Sequence, residues 1–173
     1  MLIKTDDFDK TLKLISPHYY ALLVTLNKNE KPNVMGISWF MFTSFSPPKI
    51  AISVGNTRYS FKNLKEVPEF TLCFPTSEIT EKAMKCGYLS GEDTDKIKKL
   101  EIEIIKSQKI KPPIIKDSIV AYECQIIDSF ATGDHTIFIG KIVNYHCDYD
   151  AKDHIYVKNG FEEPIAIKYD YKP

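Results

Sequence analysis

The sequence predicts a mainly β protein: an antiparallel sheet closed into a barrel, with about three short helices inserted. Two observations carry this. Extended segments are many and short for a chain of 173 residues, and polar turns rather than long helices separate most of them. So many strands in so small a chain favour closure, because a closed sheet has no exposed edges. The composition, 43% hydrophobic and 27% charged, suits a packed core. At this length folding buries roughly 70% of the unfolded surface, so a single domain over residues 1–173 is expected without a disulfide framework.

Ala21 to Leu26 is a short apolar run ending at the polar turn Asn27 to Pro32, which reads as a buried strand. Asn33 to about Phe45 is a second extended stretch, rich in aromatic and β-branched residues and broken by Pro47-Pro48. Ile50, Ile52 and Val54 alternate on one face of a third strand, which Gly55-Asn56-Thr57 ends. A short helix follows from about Tyr59 to Glu66, with Pro68 as its stop. Phe70, Leu72 and Phe74 alternate again. A second helix is expected from Ser77 to Lys85, closed by Gly87, with Cys86 exposed at its end. Ser90 to Lys96 is a polar loop, and Lys96 to Lys111 is assigned a short helix and then an extended piece. Ile119 to Phe130 and Thr136 to Tyr145 form long strands joined at Gly133. Ile155 to Val157 and Ile165 to Ile167 complete the set, separated by Asn159-Gly160.

Charge and motif content exclude several function classes. Lys+Arg and Asp+Glu are both 23, so no net field recruits nucleic acid or an anionic membrane. The longest apolar run, Tyr19 to Val24, is far short of the ~20 residues a membrane helix needs. No basic-then-apolar segment follows Met1, so the expected location is the cytoplasm. Cys73, Cys86, Cys124 and Cys147 form no C-x-x-C pair, and the four histidines no ligand pair, so no bound metal is expected. Walker, G-x-S-x-G and G-x-G-x-x-G signatures are absent from the sequence.

Three segments carry candidate chemistry. Asn33 to Trp39, continuing to Thr43-Ser44, is an apolar strand with small and hydroxyl residues and the single Trp; Gly36 would let a flat ligand approach the backbone. Thr57-Arg58-Tyr59-Ser60 stands at a strand-to-helix junction, and Arg58 is the only arginine. A guanidinium, hydroxyls and first-turn N–H groups suit a phosphate; the plainer reading is an ordinary helix cap. Gly133-Asp134-His135-Thr136 places a histidine beside a tight turn, with Asp134 expected to point away from His135 along the strand; here the plainer reading is solvated turn residues.

In order, N-x-M-x-x-S-W, Pro-Pro, an alternating strand, T-R-Y-S and G-D-H-T-I-F-I-G resemble the flavin reductase-like family, and within it the flavoredoxin group. The Cys86-Gly87, Ser90-Gly91 and Asp95-Lys96 loop is also similar. The resemblance implies a six-stranded antiparallel Greek-key split barrel that forms a homodimer with one FMN per subunit. It implies that Gly36, Ile37, Ser38 and Trp39 border the ring, with Met35 in the cofactor-binding set, although members that look like this carry Thr or Ala in place of Gly36. Ser44, Thr57, Arg58 and Ser60 would hold the phosphate, and Thr43 and Tyr59 complete the cofactor-binding set. His135 would face the ring near a stacked nicotinamide, as both a cofactor contact and the catalytic residue. The implied activity is transfer of hydride or electrons from NAD(P)H through FMN to an acceptor. Its rivals are an FMN electron carrier that uses no pyridine nucleotide and a binding module that has lost the flavin.

Overall fold

The computed structural model describes residue 2 and residues 4–168. In chain order its elements are α1 (Phe8–Leu14), β1 (His18–Tyr19), β2 (Ala21–Leu26), β3 (Pro32–Ile37), β4 (Phe40–Phe45), β5 (Pro48–Gly55), α2 (Tyr59–Glu66) and β6 (Glu69–Pro75). A single 3-10 turn (Ser77–Ile79) leads into α3 (Thr80–Tyr88) and α4 (Lys96–Lys99). Then come β7 (Ile104–Ile105), β8 (Ile114–Ile115), β9 (Ser118–Thr132), β10 (His135–Cys147), β11 (Asp153–Lys158) and β12 (Glu163–Lys168).

The main sheet has seven antiparallel segments in the order β3-β2-β6-β9-β10-β5-β4. Its two edge segments, β3 and β4, are joined by Ser38 and Trp39 alone. Three peptide steps from Ile37 to Phe40 reach about 11 Å at most. The edges of a flat seven-segment sheet would lie about 29 Å apart. The sheet is therefore rolled, and the chain crosses the seam at Ser38-Trp39, where the Ser53 N–H donates to the Trp39 carbonyl at 2.8 Å. Taken as one bent strand, β3 and β4 reduce the seven segments to the expected six, with β5 crossing through α2 to β6 as in a Greek key. The single extended stretch expected over 33–45 is thus broken at the seam.

Alternation along β2 explains its unbroken apolarity. Ala21 and Leu23 belong to the barrel interior, with Ile50, Ile52, Phe70, Leu72 and Phe138. Leu22 and Val24 belong to an outer core with Ala83, Cys86, Ile102, Ile115, Ile155 and Val157. The strand is buried on both faces, so it has no polar face to display. The outer core also buries Cys86, correcting the expected exposure: Ala83 and Cys86 share the inward face of α3 at i,i+3 spacing. Gly87 does not end that helix, which runs on to Tyr88 with Leu89 as its cap. α1 has no counterpart among the expected elements; Asp7 caps it, accepting the Lys10 N–H at 2.9 Å. A smaller sheet, β1-β11-β12, and the β7-β8 pair complete the architecture.

Candidate functional site

Two adjoining cavities of about 300 and 230 Å³ form one groove over the seam, sharing Met35, Arg58, Gly87 and Tyr88 in their walls. Met35, Gly36, Ile37, Ser38, Trp39, Arg58 and His135 line the larger one. Thr57, Arg58, Tyr59 and Ser60 line the smaller. The structure thus brings together ten of the residues singled out by sequence. Thr43 and Ser44 are not among them. Ser44 pairs with Lys49 at the far end of β5 from Gly55, about 20 Å along the strand. Thr43 is the extra residue at a register shift between Phe42 and Ser44.

The smaller cavity is cationic. Arg58 is the N-cap of α2 and makes no side-chain cap bond; the Phe61 N–H donates to the Arg58 carbonyl at 2.9 Å, which leaves the Tyr59 and Ser60 N–H groups of the first turn for another partner. Lys96 faces it from α4 and is 4% exposed. Its Nζ donates to the Cys86 carbonyl at 3.2 Å and the Leu89 carbonyl at 3.1 Å. An ammonium has three donors, and the third has no partner among the described residues. Burial pushes Lys96 below the usual lysine range; the nearby Cys86 opposes this and Arg58 adds to it. Ser60 is buried and its hydroxyl accepts from Asn33 Nδ2 at 2.9 Å. Gly91 is required beside that pair, because a Cβ there would lie 1.9 Å from Asn33 Oδ1.

The larger cavity is mixed in character, lined by hydroxyl, aromatic and apolar side chains. β3 and the seam form one wall, and Met84, Gly87, Tyr88 and Phe161 form an apolar rim. Across the seam, His135 pairs with Gly55 in the β10–β5 ladder. Its Nε2 is 3.5 Å from where a Gly55 Cβ would stand, as is Arg58 Cγ, so the imidazole and the aliphatic stem of Arg58 flank one spot. The His135 ring packs on Trp39 with centroids 4.8 Å apart. Its Nδ1 meets Asp134 Oδ1 at 2.8 Å, which corrects the expectation that Asp134 points away. Residue 134 sits in the turn beyond Gly133, whose φ is +80°, so strand alternation does not govern it. Asn56 clasps this turn to the β5–α2 loop: its N–H donates to the Asp134 carbonyl at 2.9 Å, its Nδ2 to the Gly133 carbonyl at 3.1 Å, and its Oδ1 accepts from Thr136 at 2.7 Å.

Gly36 has a different local reason from the expected one. A Cβ at this position would lie 2.0 Å from Tyr20 Oη, so its missing side chain makes room for the tyrosine that stands between β1 and β2. Sequence reading did not single out Tyr20, Ser53, Met84, Tyr88, Lys96 or Phe161, all of which line the groove. Only Lys96 had a signal, at the end of the Ser-Gly…Asp-Lys loop. Among the described residues there is no cluster that could hold a metal ion and no helix long and apolar enough to cross a membrane.

Comparison with known proteins agrees with this architecture. The sequence model of the flavin reductase like domain matches residues 16–164. A protein of Archaeoglobus fulgidus is 39% identical over 115 residues, spanning 66% of this chain and 65% of that relative. Among solved structures, a flavoredoxin of Desulfovibrio vulgaris (Miyazaki F) superposes with a TM-score of 0.84 at 23% identity, covering 99% of this chain and 97% of that one. An NADH:FAD oxidoreductase of Streptomyces globisporus C-1027 gives a TM-score of 0.82 at 18% identity, covering 99% and 98%.

Proposed function

The chain belongs to the flavin reductase-like family, and from that membership we propose that it binds FMN in the seam groove and passes hydride or electrons from NAD(P)H through it to an acceptor. The carrying observation is the joined pair of cavities, one lined by hydroxyl, aromatic and apolar groups, the other cationic. A ring joined through a ribityl chain to a phosphate matches that pair in the character of its lining and in charge. When bound, the isoalloxazine supplies the redox chemistry, and the protein supplies position and electrostatics.

Arg58, Lys96 and the first turn of α2 hold the phosphate. Two cations and a helix N-terminus suit a terminal dianion, which favours FMN over FAD. Met35 to Trp39 run along the ring, with Ser38 and Ser53 offering hydroxyls. His135 orients the nicotinamide over the open face, its ring braced by Trp39 and Asp134. The absorption spectrum of the purified protein tests the cofactor, and NADH and NADPH oxidation test the donor. FMN binding without pyridine-nucleotide oxidation would leave the electron-carrier reading.

His135→Ala should slow anaerobic bleaching of bound flavin by NADH or NADPH about tenfold to a hundredfold, the scale of one lost positioning contact. FMN affinity should change little. Unchanged bleaching in stopped flow would reduce His135 to a turn residue.

The same reading includes a homodimer. Edge strand β4 exposes Met41, Phe42 and Phe45, the last 98% accessible. Three large apolar side chains on one edge mark an association surface. Light scattering should report about 40 kDa, twice the 19.9 kDa chain, and Phe45→Lys with Met41→Lys should shift it toward the monomer mass. A wild-type particle of monomer mass with flavin bound would refute the dimer.

A further inference from the structure

Tyr20 lines the ring end of the groove and none of the phosphate end. It is 5% exposed, and its hydroxyl donates to the Ala83 carbonyl of α3 at 2.8 Å. Its oxygen lies between two glycines of the cavity wall: a Cβ at Gly36 would be 2.0 Å from it and one at Gly87 3.5 Å. The missing side chain at 36 gives the hydroxyl its place beside the cavity. Burial, then the neighbouring Cys86 and Tyr88, push the phenol well above its ordinary range, so it keeps its proton at any working pH. That proton is committed to Ala83. Toward the cavity the oxygen therefore has lone pairs alone to offer, and it can only accept.

An acceptor-only group selects what it can meet. The oxidised isoalloxazine has one ring N–H, at N3; N1, N5 and both carbonyl oxygens are acceptors, and N10 carries the ribityl chain. We propose that Tyr20 is a cofactor-recognition residue whose Oη accepts the N3–H of the flavin ring. This rests on the flavin reading above. It gives Gly36 a partner role: in this chain Tyr20, just before β2, and not residue 36, presents a side-chain oxygen at that point of the wall. A hydroxyl of the ribityl chain is the competing donor, but that chain runs toward the phosphate end, which Tyr20 does not line.

The test compares FMN with 3-methyl-FMN, which lacks the N3–H, on wild type, Tyr20→Phe and Gly36→Ala, by fluorescence titration of the apoprotein. Tyr20→Phe should bind FMN about three- to tenfold more weakly, the value of one neutral hydrogen bond. Wild type should discriminate against the methylated analogue, and Tyr20→Phe should lose at least threefold of that discrimination. Gly36→Ala, which forces the phenol aside, should lose it too and should add nothing when combined with Tyr20→Phe. Unchanged FMN affinity in folded Tyr20→Phe, or equal discrimination by all the proteins, would overturn the assignment and leave the flavin reading intact. A wild type that binds no FMN would instead remove the reading on which the assignment rests.

Discussion

The double variant Arg58→Ala, Lys96→Met should bind FMN about a thousandfold more weakly than wild type and bind riboflavin almost as well. On the proposed reading each cation contributes a charge-assisted hydrogen bond to the phosphate, worth about 2 kcal/mol, and two such losses amount to roughly three decades of affinity. The single variants should each lose about thirtyfold. Lys96 is the more informative of the two. It is buried, it spends two donors on the Cys86 and Leu89 carbonyls, and the third remains for a ligand. Methionine keeps the stem's volume and removes all three donors. Riboflavin, which lacks the phosphate, is the internal control: a parallel loss of riboflavin binding would show that the two cations shape the groove and do not hold an anion.

Glu123→Ala should lower the stability by about 3 kcal/mol, roughly 10 °C in Tm for a chain of this size. Glu123 is inaccessible to solvent on the wall of β9. Its carboxylate accepts the Gln108 and Lys109 N–H groups at 2.9 and 2.7 Å, pinning the β7–β8 loop. It also meets His146 Nε2 at 2.6 Å and accepts from Asn144 Nδ2 at 3.1 Å. Burial raises its pKa, but the bonds from Gln108, His146, Lys109 and Asn144 outweigh that and hold it below the ordinary glutamate range. The folded state therefore binds this proton less readily than the unfolded chain. Its stabilisation is complete above the unfolded pKa of about 4.3 and is lost as pH falls through the lower folded value. Calorimetry should show the gap between wild type and Glu123→Gln narrowing below about pH 4; a gap independent of pH would refute the charged-acceptor account.

Local pattern determined much of this protein. The alternation of Ile50, Ile52 and Val54, the Thr57-Arg58 junction and the Gly133 turn each depend on residues within a few positions, and their elements lie where the sequence places them: β5 at 48–55, α2 at 59–66 and the β9–β10 hairpin around Gly133. The apolar run of β2 signalled burial, and the single Arg58 marked a position that does line the groove. Closure of the sheet decided the rest. Only rolling β3 onto β4 creates the seam, and it leaves Ser44 at the far end of β5 while setting Met35 to Trp39 across from His135. Lys96 reaches the smaller, cationic cavity because α3 and α4 pack beside β3, and Tyr20 reaches the larger one because Gly36 and Gly87 leave space for its hydroxyl. Tyr20 bonds a residue 63 positions away. Sequence periodicity reports the face of an element, which is set by its own backbone geometry; which element that face meets is set by packing between distant segments.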